Sequence, residues 1–425
     1  MKFTRNNVTN QRIERITTQH AIVGIDIAKE KHVAQVTNFR GIVLTRRHLT
    51  FANTLEGFER LMRFIREVQE KYGLASVMVG LEPTGHYWFN LAHWLREQGI
   101  EVVLVNPVVT HRNKENRDNT PSKNDAKDAL TIADAVSRGF YTEFTPQAAQ
   151  LEELKTLMSD REFWVKSAIS LGNRIVRWID MYFPEFQHVF KDWTAERSLA
   201  SLRAFPLPYD VQGLRADEVI ERWREQGMRR PGGVTGKAKA VQLIQAAKRS
   251  IGRTEGVEQA RRDLQRLLAA YDQITSQLQE MKQEVEALLE EMPMAKQLQS
   301  IPGVGPITIA ALLGFAGDLG HYAHGRQLLR RAGLNLAERT SGKYKGQIKL
   351  SKRGDSALRK YLFWAMLTLV RENPDFKRWH EHNLNKGMKK MASLFKLIGK
   401  FARIVIGMIQ RGETYRSEIG VGQAA

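Results

Sequence analysis

From Ala21 onward, short apolar runs alternate with polar breaks. Ile22–Ile27, Val33–Thr37 and Ile42–Leu49 read as three strands with short connections, one at Arg40-Gly41, which predicts an antiparallel meander. Leu55, Phe58, Leu61, Met62, Ile65 and Val68 then recur at helical spacing. Val77–Leu81 is the next strand, Tyr87–Arg96 a helix and Glu101–Val105 a strand. Strand, helix, strand requires a crossover and parallel pairing. After a polar segment at 116–124, a helix opens at Asp125 and runs towards Val136. The order βββαβαβα predicts an α/β domain over residues 21–145, preceded by a loose basic leader at 1–20.

The remainder reads as mainly helical. Leu151–Tyr182 is a long helical segment stopped by Pro184. Residues 185–255 carry Pro206, Pro208 and the loop Arg229-Arg-Pro-Gly-Gly-Val-Thr-Gly236, which predicts short helices inserted into a longer helical region, 146–292. Thr235-Gly-Lys237 is not a P-loop, because Pro231 stands where the first glycine belongs and no strand precedes it. Val257, Ala260, Leu264, Leu267, Tyr271, Ile274 and Leu278 begin a heptad seam that continues to Met292. Two partners suit this seam: Leu151–Tyr182 of the same chain, or a second subunit. Pro293 ends the helix and opens a C-terminal domain, 293–425.

Charge narrows the function. The 425 residues carry a formal net charge of +19 and a pI near 10.0, which points to a polyanionic partner. Nucleic acid suits this better than membrane, since no run approaches the ~18 apolar residues of a spanning helix. Met1–His20 is polar and basic without the apolar core of a secretory signal. The absence of cysteine removes disulfides, thiolate zinc sites and thiol nucleophiles. These features suit a cytoplasmic, nucleoid-associated protein.

Four acids stand where chemistry is expected. Asp26 and Glu82 end two apolar runs, and Asp125 and Asp128 share one face at a helix start. Asp134 falls on the opposite face at ~100° per residue. Taken singly, each acid has an ordinary reading, because Asp is common at helix starts. Asp26 between Ile25 and Ile27 fits that reading least, since charge among apolar neighbours is costly unless paired or bound to metal. Converging carboxylates repel, and a hard divalent cation, Mg²⁺ or Mn²⁺, holds them together. Two such ions clamp the oxygens of a phosphodiester in displacement.

Two further stretches suit phosphate. Pro302-Gly-Val-Gly-Pro306 between helices is either an ordinary turn or a hairpin where Gly303 and Gly305 admit a phosphate to backbone amides. Beyond it, Ser341-Gly342 lies in a basic loop with Arg339, Lys343 and Lys345, followed by Lys349, Lys352, Arg353 and Arg359. Basic residues here neutralise phosphates. A serine hydroxyl becomes a nucleophile only when its proton is removed and the developing charge is stabilised. Otherwise Ser-Gly is simply a turn.

Several motifs now share one order: Gly24-Ile-Asp-Ile-Ala-Lys29, Glu82-Pro-Thr-Gly85 and Lys123-Asn-Asp-Ala-Lys-Asp-Ala129, then Ala332-Gly-Leu334, Ser341-Gly342 and Ser351-Lys-Arg-Gly-Asp355. This resembles the insertion sequence one-ten family of DEDD transposases, at residues of about 21–180 and 257–370. Asn124 stands where many relatives have Ser or Thr, and the larger departure is the insertion at 185–255, whose role the family does not supply. The resemblance implies an RNase H-like (RuvC-like) N-terminal domain, a coiled-coil region and a C-terminal transposase domain with a helix-hairpin-helix. It implies Asp26, Glu82, Asp125 and Asp128 as the tetrad that holds Mg²⁺, and Ser341 as the nucleophile of a phosphoserine intermediate. It further implies donor and target DNA, a bridge RNA that pairs with both, and a homo-dimer or tetramer in which one subunit's serine completes another's carboxylate site. Two rivals remain: a metal-dependent structure-specific nuclease resembling a junction resolvase, and a non-catalytic nucleic-acid-binding protein, which has no need of an acid cluster.

Overall fold

Alternation decides how the first sheet is built. In the computed structural model, which describes residues 7–114, 116, 124–145, 147–337, 340–341, 344–346 and 348–417, two compact units span Met1–Pro146 and Gln147–Ala425. In the first, helix α1 (Asn7–Glu14) leads into strands β1 (His20–Asp26), β2 (Lys31–Asn38) and β3 (Leu49–Ala52). Then come α2 (Leu55–Tyr72), β4 (Ser76–Leu81), α3 (Phe89–Glu97), β5 (Glu101–Leu104), α4 (Pro107–Asn113), α5 (Asp125–Ser137) and β6 (Thr142–Glu143). The six strands lie in the order β3-β2-β1-β4-β5-β6. β1 pairs antiparallel with β2 and parallel with β4, and β4 pairs parallel with β5. Odd-numbered residues of β1 (Ala21, Val23, Ile25) join the core with Phe58, Leu61 and Ile65 of α2, while Ile22 joins Met78 of β4 and Ile132 and Val136 of α5. Successive side chains face opposite sides, so each face of the sheet has its own helical cover.

Helix α2 starts where Thr54 accepts from Gly57 N–H at 3.3 Å and stops at Gly73, whose φ of 65° ends the turn. Two expectations change. The third strand is Leu49–Ala52 and not Ile42–Leu49: Arg46 and Arg47 are exposed, Leu49 and Phe51 supply the buried alternation, and the earlier stretch adds one bridge, Thr37 to Val43. The leader is not loose from residue 7, because α1 is followed by buried Ile16, and Arg15 pairs with Glu101 at 2.9 Å and Glu143 at 3.0 Å.

The second unit is mostly helical. Helix α6 (Ala149–Tyr182) leads to α7 (Phe186–Val189), α8 (Glu196–Ala204), α9 (Ala216–Glu225), α10 (Gly233–Lys248) and α11 (Val257–Glu290). α12 (Pro293–Gln299), α13 (Pro306–Ala316) and α14 (Gly325–Arg331) follow, then strands β7 (Leu336–Ala337), β8 (Thr340–Ser341), β9 (Tyr344–Lys345) and β10 (Lys349–Leu350). α15 (Ser356–Glu372), α16 (Pro374–Asn385) and α17 (Lys390–Arg411) complete it.

The heptad seam of α11 packs within the chain, antiparallel on α6. Trp178 Nε1 donates to Ala260 O at 2.9 Å near one end, and Gln150 to Glu291 at 3.2 Å near the other. The short helices α7 to α10 form a core of their own with Trp178, Phe183, Phe186 and Trp223. At the other end α13 is buried along Ile309–Ala316, as a helix hydrophobic all round must be. Among the described residues no helix is long and apolar enough to cross a membrane.

Candidate active site

The parallel register of β1 and β4 aligns Ile25 with Leu81. Asp26, the last residue of β1, and Glu82, the first beyond β4, therefore stand side by side at the carboxyl edge of the sheet, where α/β sheets bind ligands. By alternation both face the side covered by α5. Gly24 lets α5 come down onto β1, since a Cβ there would stand 2.0 Å from Ala129 O and 2.6 Å from Ala133 N. The first turn of α5 reaches the same edge, with Asn124 capping it by accepting from Lys127 N–H at 2.7 Å.

The electrostatics follow from that crowding. Burial, and then Asp128, Asp125 and Glu82, push the half-buried Asp26 up to about 6, while Lys114 opposes them. Lys114 Nζ donates to Asp128 Oδ2 at 2.8 Å. Thr84 donates to Glu82 Oε1 at 2.8 Å, and buried Thr110 donates to Oε2 at 2.5 Å. These partners orient Glu82 and balance Asp128. Sequence reasoning missed Thr110 and Lys114; the available signal was a hydroxyl and a cation a few residues beyond the β5 strand end.

The donor chemistry fits a hard divalent cation. The set is oxygen only, and Asp128 Oδ1 is buried with no hydrogen-bond partner among the described residues. Among the described residues, however, no group of three or more His, Cys, Asp or Glu is arranged as it stands to hold a metal ion. The carboxylates are gathered at one edge but not closed around a point.

In the second unit, Ser341 lies in β8 at the end of a narrow β-arm, of which the backbone alone is described at 340–341 and 344–345. β7 pairs with β10 at its base, and β8 with β9 above, with Ser341 opposite Tyr344. Of the basic candidates, Lys349, Lys352 and Arg353 are exposed. Arg359 is different: its Nη1 donates to Ala332 O at 2.8 Å, tying α15 to the end of α14. Lys345 lies in β9, while Arg339 and Lys343 lie outside the described residues. In the turn between α12 and α13, Gly303 (φ 87°) packs on Glu372 and Leu369 of α15, while a Cβ on Gly305 would meet open space. Asn373 Nδ2 holds the turn by donating to Pro302 O at 3.2 Å. Residues 292–425 contain 23 Lys and Arg against 8 Asp and Glu, so most of the excess positive charge belongs to this part of the chain.

Known proteins share both regions. Residues 23–184 match the DEDD family model described as "Transposase", and residues 295–381 match that described as "Transposase IS116/IS110/IS902 family". The chain is 25% identical over 407 residues to the transposase for insertion sequence element IS1111A of Coxiella burnetii, covering 93% of this chain and 91% of that one. It is 23% identical over 400 residues to a probable family 20 transposase of Pseudomonas aeruginosa, covering 93% and 98%. It is 28% identical over 152 residues to the pilin gene-inverting protein of Moraxella lacunata, covering 36% and 45%.

Proposed function

The chain belongs to the IS110 family of insertion-sequence transposases, and we propose that it cuts and rejoins donor and target DNA through a serine-linked intermediate at a Mg²⁺-dependent carboxylate site. At the coarse level a transposase is an enzyme that breaks and rejoins DNA. The finer reading rests on one observation above the rest: the β1–β4 register and the first turn of α5 gather Asp26, Glu82, Asp125 and Asp128 at one edge of the sheet, where burial and the neighbouring carboxylates push Asp26 up to about 6. Structural surface acids have no reason to be so placed, whereas a cation site does. The strand order 3-2-1-4-5, with an antiparallel meander and then parallel pairs, supports an RNase H-like domain.

Asp26, Glu82, Asp125 and Asp128 would hold Mg²⁺ or Mn²⁺. When bound, the ion supplies positive charge that stabilises the developing charge at phosphorus. Thr84 and Thr110 keep both Glu82 oxygens oriented, and Lys114 neutralises Asp128. The Ser341 oxygen attacks phosphorus and forms an O–P bond. The bond from phosphorus to one bridging deoxyribose oxygen breaks, and the serine proton ends on that departing oxygen. The phosphodiester's energy is kept in the serine ester, so rejoining requires no ATP. Exposed Lys349, Lys352 and Arg353 neutralise flanking phosphates, and the turn at Gly303 and Gly305 receives another. A bridge RNA selects both DNA partners, and subunits of a dimer or tetramer exchange serines; family membership supports both.

The test is a denaturation-resistant protein–DNA adduct, formed with the element's ends and the RNA it encodes. Wild type should form it, and neither Ser341→Ala nor Asp26→Asn should, although both should still bind RNA. Free DNA ends from wild type, with Ser341→Ala nicking at a similar rate, would leave the water-activating nuclease in its place.

A further inference from the structure

The arm that carries Ser341 is slight. Its two ladders are two residues long on each side, too short to hold a direction in water by themselves. What aims the arm must lie at its base.

The base is unusually well tied. Ser351 N–H donates to Asn335 O at 2.8 Å, which adds a rung below the Leu336–Leu350 pair. The Ser351 hydroxyl donates to Asn335 Oδ1 at 2.6 Å, lies 3.3 Å from Gly333 O and accepts from Arg353 N–H at 3.4 Å. Beneath it, Lys352 N–H donates to Gly333 O at 2.9 Å and Asp355 N–H to Arg331 O at 2.7 Å. The two segments pass in backbone contact, since a Cβ on Gly354 would stand 2.3 Å from Gly333 N. Lys352 has φ 53°, the one positive value at a non-glycine among the described residues. Such strain persists only where the surroundings over-determine the backbone.

We propose that Ser351 is a positioning residue, whose hydroxyl locks the two segments at the arm's base and so sets where Ser341 meets the phosphodiester. This rests on the serine reading above. The six residue steps from Asn335 to Ser341 can span about 20 Å at most. A turn of about 3° at the base then moves the tip by about 1 Å, and a 1 Å misplacement costs about 10²-fold in rate. A hydroxyl shared among Asn335, Gly333 and Arg353 resists such a turn from three directions.

The experiment uses the full-length protein, the RNA the element encodes and a duplex of the element's ends. The rate of adduct formation is measured at saturating DNA, and DNA affinity separately. Ser351→Ala should slow the adduct at least ~10-fold with affinity within ~2-fold, and Ser351→Thr, which keeps the hydroxyl, should restore the rate. Asn335→Ala should slow the adduct in the same direction, and the double variant should be no worse than Ser351→Ala, because the serine substitution has already broken the hydrogen bond the two share. Amide exchange in Ser351→Ala should quicken at 349–353 and not in α13. Should Ser351→Ala fail to fold, Asn335→Ala with Ser351→Thr carries the same test. A wild-type rate in Ser351→Ala, or a loss that Ser351→Thr does not repair, overturns the proposal. A wild type that forms no adduct, or Ser341→Ala that still does, overturns the serine reading instead.

Discussion

Gly24 of β1 pairs directly with Gly80 of β4, and α5 lies across both. Where a Cβ on Gly24 would meet backbone, a Cβ on Gly80 would meet side chains, Val136 Cγ2 at 2.6 Å and Ile132 Cγ2 at 3.1 Å. The two absent side chains bring the start of α5 to the edge where Asp26 and Glu82 emerge.

Gly24→Ala must therefore move a helix, whereas Gly80→Ala need only turn methyl groups. Gly24→Ala should destabilise by about 1–3 kcal/mol or more, and Gly80→Ala by less. Urea unfolding of the two variants checks the order; equal losses would mean α5 adjusts freely.

The state of Asp26 gives stability a pH dependence. Its folded value of about 6 lies above the ~3.9 of a free Asp. Between those values the folded protein holds a proton that the unfolded chain has released, so this group's contribution falls as pH rises from about 4 to about 6 and is flat outside that window. In EDTA at pH 7.5, Asp26→Asn should raise the melting temperature, and at pH 4 the gain should vanish. A variant less stable than wild type at pH 7.5 would place Asp26 in a favourable ion pair.

Lys114 brings a positive charge to the carboxylate edge, against Asp128. Lys114→Met should lower the melting temperature more in EDTA than in Mg²⁺, since an ion replaces the lost charge. The same drop in both would separate Lys114 from the ion's position.

The basic residues of the second unit divide by partner. Exposed Lys349, Lys352 and Arg353, replaced together by Ala, should flatten the salt dependence of DNA binding by ~0.9 in the log–log slope for each phosphate no longer neutralised. Arg359→Ala should leave that slope alone and lower stability, because its guanidinium serves Ala332 O. Salt titrations of both variants decide it.

Much of this was legible in one dimension. Alternation in Ile22–Ile27 and Val77–Leu81, and the helical stripe from Leu55 to Val68, are local patterns that need no partner to be read, and they placed the strand ends that carry Asp26 and Glu82. The end of the seam at Pro293 is equally local, because proline carries no amide hydrogen. Register, approach and choice of partner are not local. Only the folded chain decided that Leu49–Ala52 and not Ile42–Leu49 completes the meander, that α11 packs on α6, and that α1 ties Arg15 to Glu101 and Glu143. Only there does Gly24 admit α5, Lys114 meet Asp128, and Arg359 turn to a carbonyl. The hydrophobic period states which face of an element is buried, but not what lies upon it. That depends on contacts between residues far apart in the chain, whose energies exist only once the elements have met.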